Sequence, residues 1–132
     1  MNWWAKYIGV PFADGGRGPE SYDCWGLVRA SYCDVLGVVL PSYGEISSRD
    51  LVRIARSIRD ATAESWVVFD TPEPMDVCLM RSGRGGRSAV HVGVMVDRRR
   101  VMHVEEASAT VVVPISHHSV SGRIVGFGRY SA

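Results

Sequence analysis

Lysine is almost missing from this chain. Lys6 stands alone among 15 basic residues; the rest are arginine, which reads mainly as a coding bias. Against 14 acidic residues this leaves a formal net charge of +1, so bulk charge selects no class of partner. Cysteine is scarce as well: there are three, an odd number, and none lies in a C-x-x-C pair. A disulfide framework is therefore not expected. No apolar run approaches the length of a membrane span, so no membrane insertion is expected. The start, Met1-Asn2-Trp3-Trp4, lacks a charged region followed by an apolar stretch, and no signal peptide is expected. No repeat or domain linker interrupts the pattern. The 132 residues, 46% hydrophobic, suit one globular domain over 1–132.

What is present is concentrated at Asp23-Cys24-Trp25-Gly26-Leu27-Val28. Counting on from Cys24, Leu27, Val28, Ser31, Tyr32, Val35 and Leu36 recur at helical spacing and form one buried face. Asp23 is a good N-cap and Gly37 a stop signal. The Cys24 thiol then lies in the first turn, where free N–H groups and the helix dipole favour a thiolate. Asp23 works against that charge, so a basic partner would help. Taken alone, Cys24 reads as a small core hydrophobe, as most free cysteines are.

Two histidines answer it. Val90 to Val96 and Val101 to Val104 read as strands joined by the polar turn Asp97-Arg98-Arg99-Arg100. Paired as a hairpin, Val92, Val94, Val96, Met102 and Val104 share an apolar face. His91, Gly93, Met95, Val101 and His103 share the other. The histidines then neighbour each other across the pair, beside a glycine that blocks no approach. A helix-first cysteine with two such histidines suits nucleophilic catalysis: one imidazole takes the thiol proton and the second polar group holds it in the working tautomer. A zinc site from Cys24, His91 and His103 is the alternative, but no fourth ligand is evident.

The remaining pattern is an α+β arrangement. Ser48-Arg49-Asp50 leads a second helix with Leu51, Ile54, Ala55, Ile58 and Ala61 on one face and an arginine row on the other. Trp66 to Phe69 reads as a short strand, followed by strands at about 76–81, 90–96, 100–104, 110–114 and 123–128. Cys33, nine residues after Cys24, faces away from it, and Cys78 alternates with Val77 and Leu79 on a strand. His117-His118 reads as a solvated loop. The stretch Arg81 to Ser88 reads as a mobile hairpin loop or as a clamp whose arginines pair with substrate carboxylates. It is short and lacks interleaved aromatics, so no nucleic-acid partner is expected.

The order of these motifs resembles the NlpC-type cysteine peptidases of bacterial cell walls, from about Trp4 to Arg129. Ala5 to Phe12 with Gly15-Gly16-Arg17 is similar to that family's approach to its cysteine, and Tyr22 to Val28 to its cysteine motif. Pro74-Met75-Asp76-Val77 resembles the Pro-Gly-Asp lead into the first core strand, with Met75 in place of glycine. His91 to Val96 resembles the histidine strand, and His103 falls at the third polar position. Many members have tyrosine where Phe12 stands and serine where Trp25 stands. Cys-Trp-Gly and the Gly-Gly-Arg lead-in are similar to the subgroup of phage tails and gene transfer agents.

The resemblance implies a papain-like NlpC fold, with N-terminal helices packed on a five- to six-stranded antiparallel sheet. It implies Cys24 as nucleophile, His91 as base and His103 as orienting group, with the oxyanion held by N–H groups at the helix start. Asp23, Trp25, Phe12, Gly93 and Arg87 are the expected substrate-facing residues. No cofactor or metal is expected. The implied substrate is an amide bond of a peptidoglycan stem peptide. The implied partners are other tail-tip or baseplate proteins. The chain would be made in the cytoplasm, carried in a particle and used at the wall of a target cell. Two other readings stay open: a structural tail-tip protein on the same fold, and a thiol amidase or acyltransferase.

Overall fold

The structure, a computed structural model, describes residues 2–40, 66–83 and 89–130. The expected second helix after Ser48 and the candidate Arg87 lie outside the described residues.

Helix α1 spans Cys24–Leu36. The Asp23 carboxylate accepts the Gly26 N–H at 2.7 Å, satisfying one of the donors that a helix start leaves free. Gly37 ends the helix in the left-handed conformation (φ 67°), with its N–H donating to the Cys33 carbonyl. Leu27, Val28, Ser31 and Tyr32 are buried as the spacing predicts. Val35 and Leu36 are not: they are 39% and 49% exposed. Neither joins the clusters that the helix forms with the strands, so the expected stripe ends at Tyr32.

Six strands follow: β1 Trp66–Phe69, β2 Val77–Arg81, β3 Ala89–Met95, β4 Arg100–His103, β5 Val111–Pro114 and β6 Ile124–Tyr130. They form one antiparallel sheet in the order β1-β6-β2-β3-β4-β5. The last strand reaches two residues beyond the expected 128 because Arg129 and Tyr130 pair with Val67 and Trp66. That pairing partner is remote in sequence, so local patterning does not reveal it.

Strand alternation sorts the side chains. Val77, Leu79, Val92 and Val94 pack with Cys24, Val28 and Tyr32 of α1. On the other face Cys78, Met80, Met95 and Val101 pack with Phe127 and Val120. Both faces of the central strands are therefore covered, one by the helix and one by the segment between β5 and β6.

The lead into β2 carries a buried ion pair. Arg129 donates to both oxygens of Asp76 at 2.9 and 2.8 Å, and the Glu73 N–H donates to Asp76 as well. A buried carboxylate needs such partners. Met75, where the resemblance places glycine, is held at φ 71°. This costs a non-glycine residue about 1–2 kcal/mol. The Met75 side chain packs on the Cys24–Val28–Tyr32 cluster, which offsets the strain. Its carbonyl also accepts a hydrogen bond from the Tyr32 hydroxyl.

Candidate functional site

The first turn of α1 is built by the loop before it. The Asp23 N–H donates to the Gly16 carbonyl at 3.1 Å. Arg17 donates to the same carbonyl at 3.0 Å and to the Asp23 carboxylate at 2.6 Å. Asp23 is buried, and these partners are all internal: it caps the helix and pairs with Arg17. The basic partner that Asp23 called for is thus Arg17, supplied by the Gly-Gly-Arg lead-in.

Cys24 opens the helix, buried against Val92 of β3 and Val28. Burial pushes its thiol up to about 12, and the Asp23 charge adds to this. The backbone N–H groups of Val92 and Trp25, then Arg17, pull it down by less. Desolvation therefore outweighs the helix-start effect, and the free thiol is protonated at neutral pH. A standing thiolate–imidazolium pair is not the resting state of this site. It follows that alkylation of Cys24 by iodoacetamide should rise about tenfold per pH unit from pH 7 to 9, tracking the thiolate fraction. Mass spectrometry of the Cys24 peptide reads this directly. A rate already level between pH 6 and 8 would mean a preformed ion pair instead.

The hairpin brings the two histidines together. His91 Nε2 and His103 Nδ1 are 2.9 Å apart, and both residues are buried. Gly93 explains how they meet. A Cβ there would lie 2.7 Å from the Met102 carbonyl and 3.0 Å from the His103 Cβ. The space beside Gly93 is thus filled by β4 itself, which closes on β3 where Val94 faces Met102.

Around the pair lies a polar cluster. A Glu105 oxygen is 3.7 Å from His91 Nε2 and 2.5 Å from an Arg123 nitrogen. Arg123 also donates to the Arg81 carbonyl at 2.9 Å and the Ser119 carbonyl at 3.1 Å, tying β2 and the β5–β6 segment to the site. Burial holds His91 well below its usual range, helped by His103 and Arg123. Burial also lowers His103, opposed by Glu105 and reinforced by Arg123 and His117. Both imidazoles are therefore neutral near pH 7.

Between two neutral rings, one nitrogen of the contact donates and the other accepts. Glu105 beside His91 Nε2 favours a proton on that nitrogen, which then donates to His103 Nδ1. In that tautomer His91 Nδ1 carries the lone pair. Among the described residues no hydrogen bond joins either imidazole to Cys24, whose nearest link to β3 is the Val92 N–H, one residue from His91.

The other candidates are placed as follows. Trp25 is half-buried and packs on the Cys24 cluster. Phe12 is half-buried against the core of Tyr7, Tyr22, Leu27 and Met102, and its N–H donates to the Ser108 carbonyl. Cys33 is exposed and Cys78 is buried on the opposite face of the sheet. His117 pairs with the Ser119 hydroxyl at 2.7 Å, at the margin of the histidine cluster. The sequence reading missed Glu105 and Arg123. Glu105 had a signal, since period two continues from His103 onto it. Arg123 had none.

Comparisons with known proteins agree with this fold. The profile of the NlpC/P60 family matches residues 9–129. Among curated proteins, the chain is 23% identical to the gamma-DL-glutamyl hydrolase of Bacillus subtilis over 130 residues, 95% of this chain and 27% of that one. It is 23% identical to the murein DD-endopeptidase MepS/murein LD-carboxypeptidase of Escherichia coli over 112 residues, 85% of this chain and 51% of that one. The chain thus spans about half or less of the curated relatives it matches. Among solved structures, a lipoprotein of the NLP/P60 family from Staphylococcus aureus superposes with a TM-score of 0.68 at 22% identity. The match covers 96% of this chain and 38% of that one. The NlpC/p60 domain of the peptidoglycan hydrolase SagA superposes with a TM-score of 0.61 at 20% identity, covering 96% and 91%.

Proposed function

The chain belongs to the NlpC/P60 family, and on that premise we propose that it is a cysteine peptidase cleaving an amide bond in peptidoglycan stem peptides. The observation that carries this reading is the His91–His103 contact at 2.9 Å, one residue along β3 from Val92, whose N–H reaches Cys24. Relatives named for gamma-glutamyl hydrolysis and murein endopeptidase activity supply the substrate class.

Cys24 Sγ attacks the scissile carbonyl while its proton passes to His91 Nδ1. Because the resting thiol is protonated, deprotonation and attack are coupled. The oxyanion is held by N–H groups at the start of α1. His91 then gives the proton to the leaving amine, and a thioester remains on Cys24. Water, deprotonated by His91, attacks that thioester; the acid leaves and the thiol regains its proton. His103 stabilises the imidazolium through its hydrogen bond to Nε2.

The particle setting is a finer part of the same proposal. Cys24-Trp25-Gly26 and Gly15-Gly16-Arg17 resemble the phage-tail and gene-transfer-agent subgroup, which favours a tail component acting at the wall of a target cell. A second reading, a structural protein on this fold, is favoured by one observation: Cys24 is buried and makes no hydrogen bond to His91 among the described residues. The test is mass spectrometry of purified muropeptides after incubation with the protein, with and without prior alkylation. New stem-peptide fragments that vanish on alkylation are expected. Intact muropeptides from several wall types, together with intact sacculi, would favour the structural reading.

A further inference from the structure

The histidine pair has a third ligand-type neighbour. His91, His103 and Glu105 each offer one ligand atom, a ring nitrogen or a carboxylate oxygen, and these lie within 4.8 Å of one another. Two of the separations are 2.9 and 3.7 Å. A four-coordinate zinc ion with imidazole and carboxylate ligands at about 2.0–2.1 Å sets neighbouring ligand atoms roughly 3.3 Å apart. These two separations straddle that spacing.

The surroundings are those of a built site. Both rings are buried. The Glu105 side chain is 38% exposed and gives a way in from solvent. Arg123, itself fixed on the carbonyls of Arg81 and Ser119, holds the Glu105 carboxylate in position from outside the ligand set. As a like charge it also lowers affinity for a cation.

We propose that His91, His103 and Glu105 bind a divalent transition cation, zinc foremost, with the fourth position left to water. Two nitrogens and one carboxylate oxygen are a borderline donor set that zinc favours over magnesium or calcium. Occupation requires lone pairs on His91 Nε2 and His103 Nδ1 together. The His91 proton must therefore move, through solvent, from Nε2 to Nδ1. That nitrogen is the one the peptidase reading needs as a base, so zinc would switch hydrolysis off. Binding itself does not depend on that reading; only the switch rests on it.

The test uses the full chain carrying Cys33→Ser, which removes the exposed thiol as a competing ligand. The protein is stripped with EDTA and titrated with zinc chloride in a calorimeter, alongside melting curves. One equivalent should bind and raise Tm. Glu105→Gln and His103→Gln should each weaken binding about tenfold or more. Absence of saturable binding, or binding that Glu105→Gln leaves unchanged, overturns the site. Glu105→Gln decides the matter even where His103→Gln fails to fold, because Glu105 is partly exposed. Zinc should also inhibit muropeptide cleavage, with recovery on EDTA. Zinc binding by a chain that cleaves nothing would sink the functional reading and leave the metal site standing.

Discussion

Replacing Cys24 with alanine is expected to lower muropeptide hydrolysis by about four orders of magnitude or more, because the variant has no atom to carry the acyl group. Neither remaining thiol can substitute. Cys33 is exposed on the far side of α1, and Cys78, on the face of the sheet away from Cys24, is fully buried among Met80, Met95 and Phe127, where burial pushes its thiol up to about 12. The fold should survive. Removing one sulfur from a small buried side chain costs about 1 kcal/mol, a Tm change of a few degrees. The pairing of these outcomes matters: activity gone, melting curve nearly kept. Rates within about tenfold of the parent would remove Cys24 from the chemistry. Cys24→Ser should not rescue the activity, since a serine hydroxyl is a weaker nucleophile still when burial opposes its ionisation.

Gly26→Ala should be strongly destabilising, although it adds only one methyl group. A Cβ at Gly26 would lie 2.0 Å from the Gly16 carbonyl oxygen, which is backbone and has little room to give. On propensity alone, alanine in a helix gains about 1 kcal/mol over glycine. Here the sign reverses. The Gly16 carbonyl accepts from both Asp23 and Arg17, so moving it breaks the tie between the lead-in loop and the helix start. A net loss of about 3 kcal/mol and a Tm drop of roughly 10 °C are expected. Thermal denaturation reads this directly. An unchanged or raised Tm would show that the loop yields freely and that the close approach is not a constraint.

Those two residues show how unevenly the molecule can be read from its sequence. Helix α1, its caps, the strand alternation and the histidine hairpin are local patterns, set by periods of 3.6 and two, and they were legible. The reach of β6 to Tyr130 depends on β1, which pairs with it from about sixty positions away in the chain, and was not. The same holds at the site. His91 and His103 lie on one hairpin and their meeting follows from register. Arg123 arrives through a separate segment and touches Glu105 by tertiary packing alone. The protonation state of Cys24 was not legible for a related reason. The helix start is visible in sequence, but the depth of burial that overrides it is a property of the whole packed face.

That burial also bears on how the chain ages. Oxidants attack thiolates that solvent can reach, and Cys24 offers neither feature at rest. Cys33 offers access. In air, copies should therefore couple through Cys33 long before Cys24 is converted to a sulfenic acid. Preparations would gather covalent dimers on storage while keeping the Cys24 thiol intact, and a reductant would restore the monomer without changing what each copy can do.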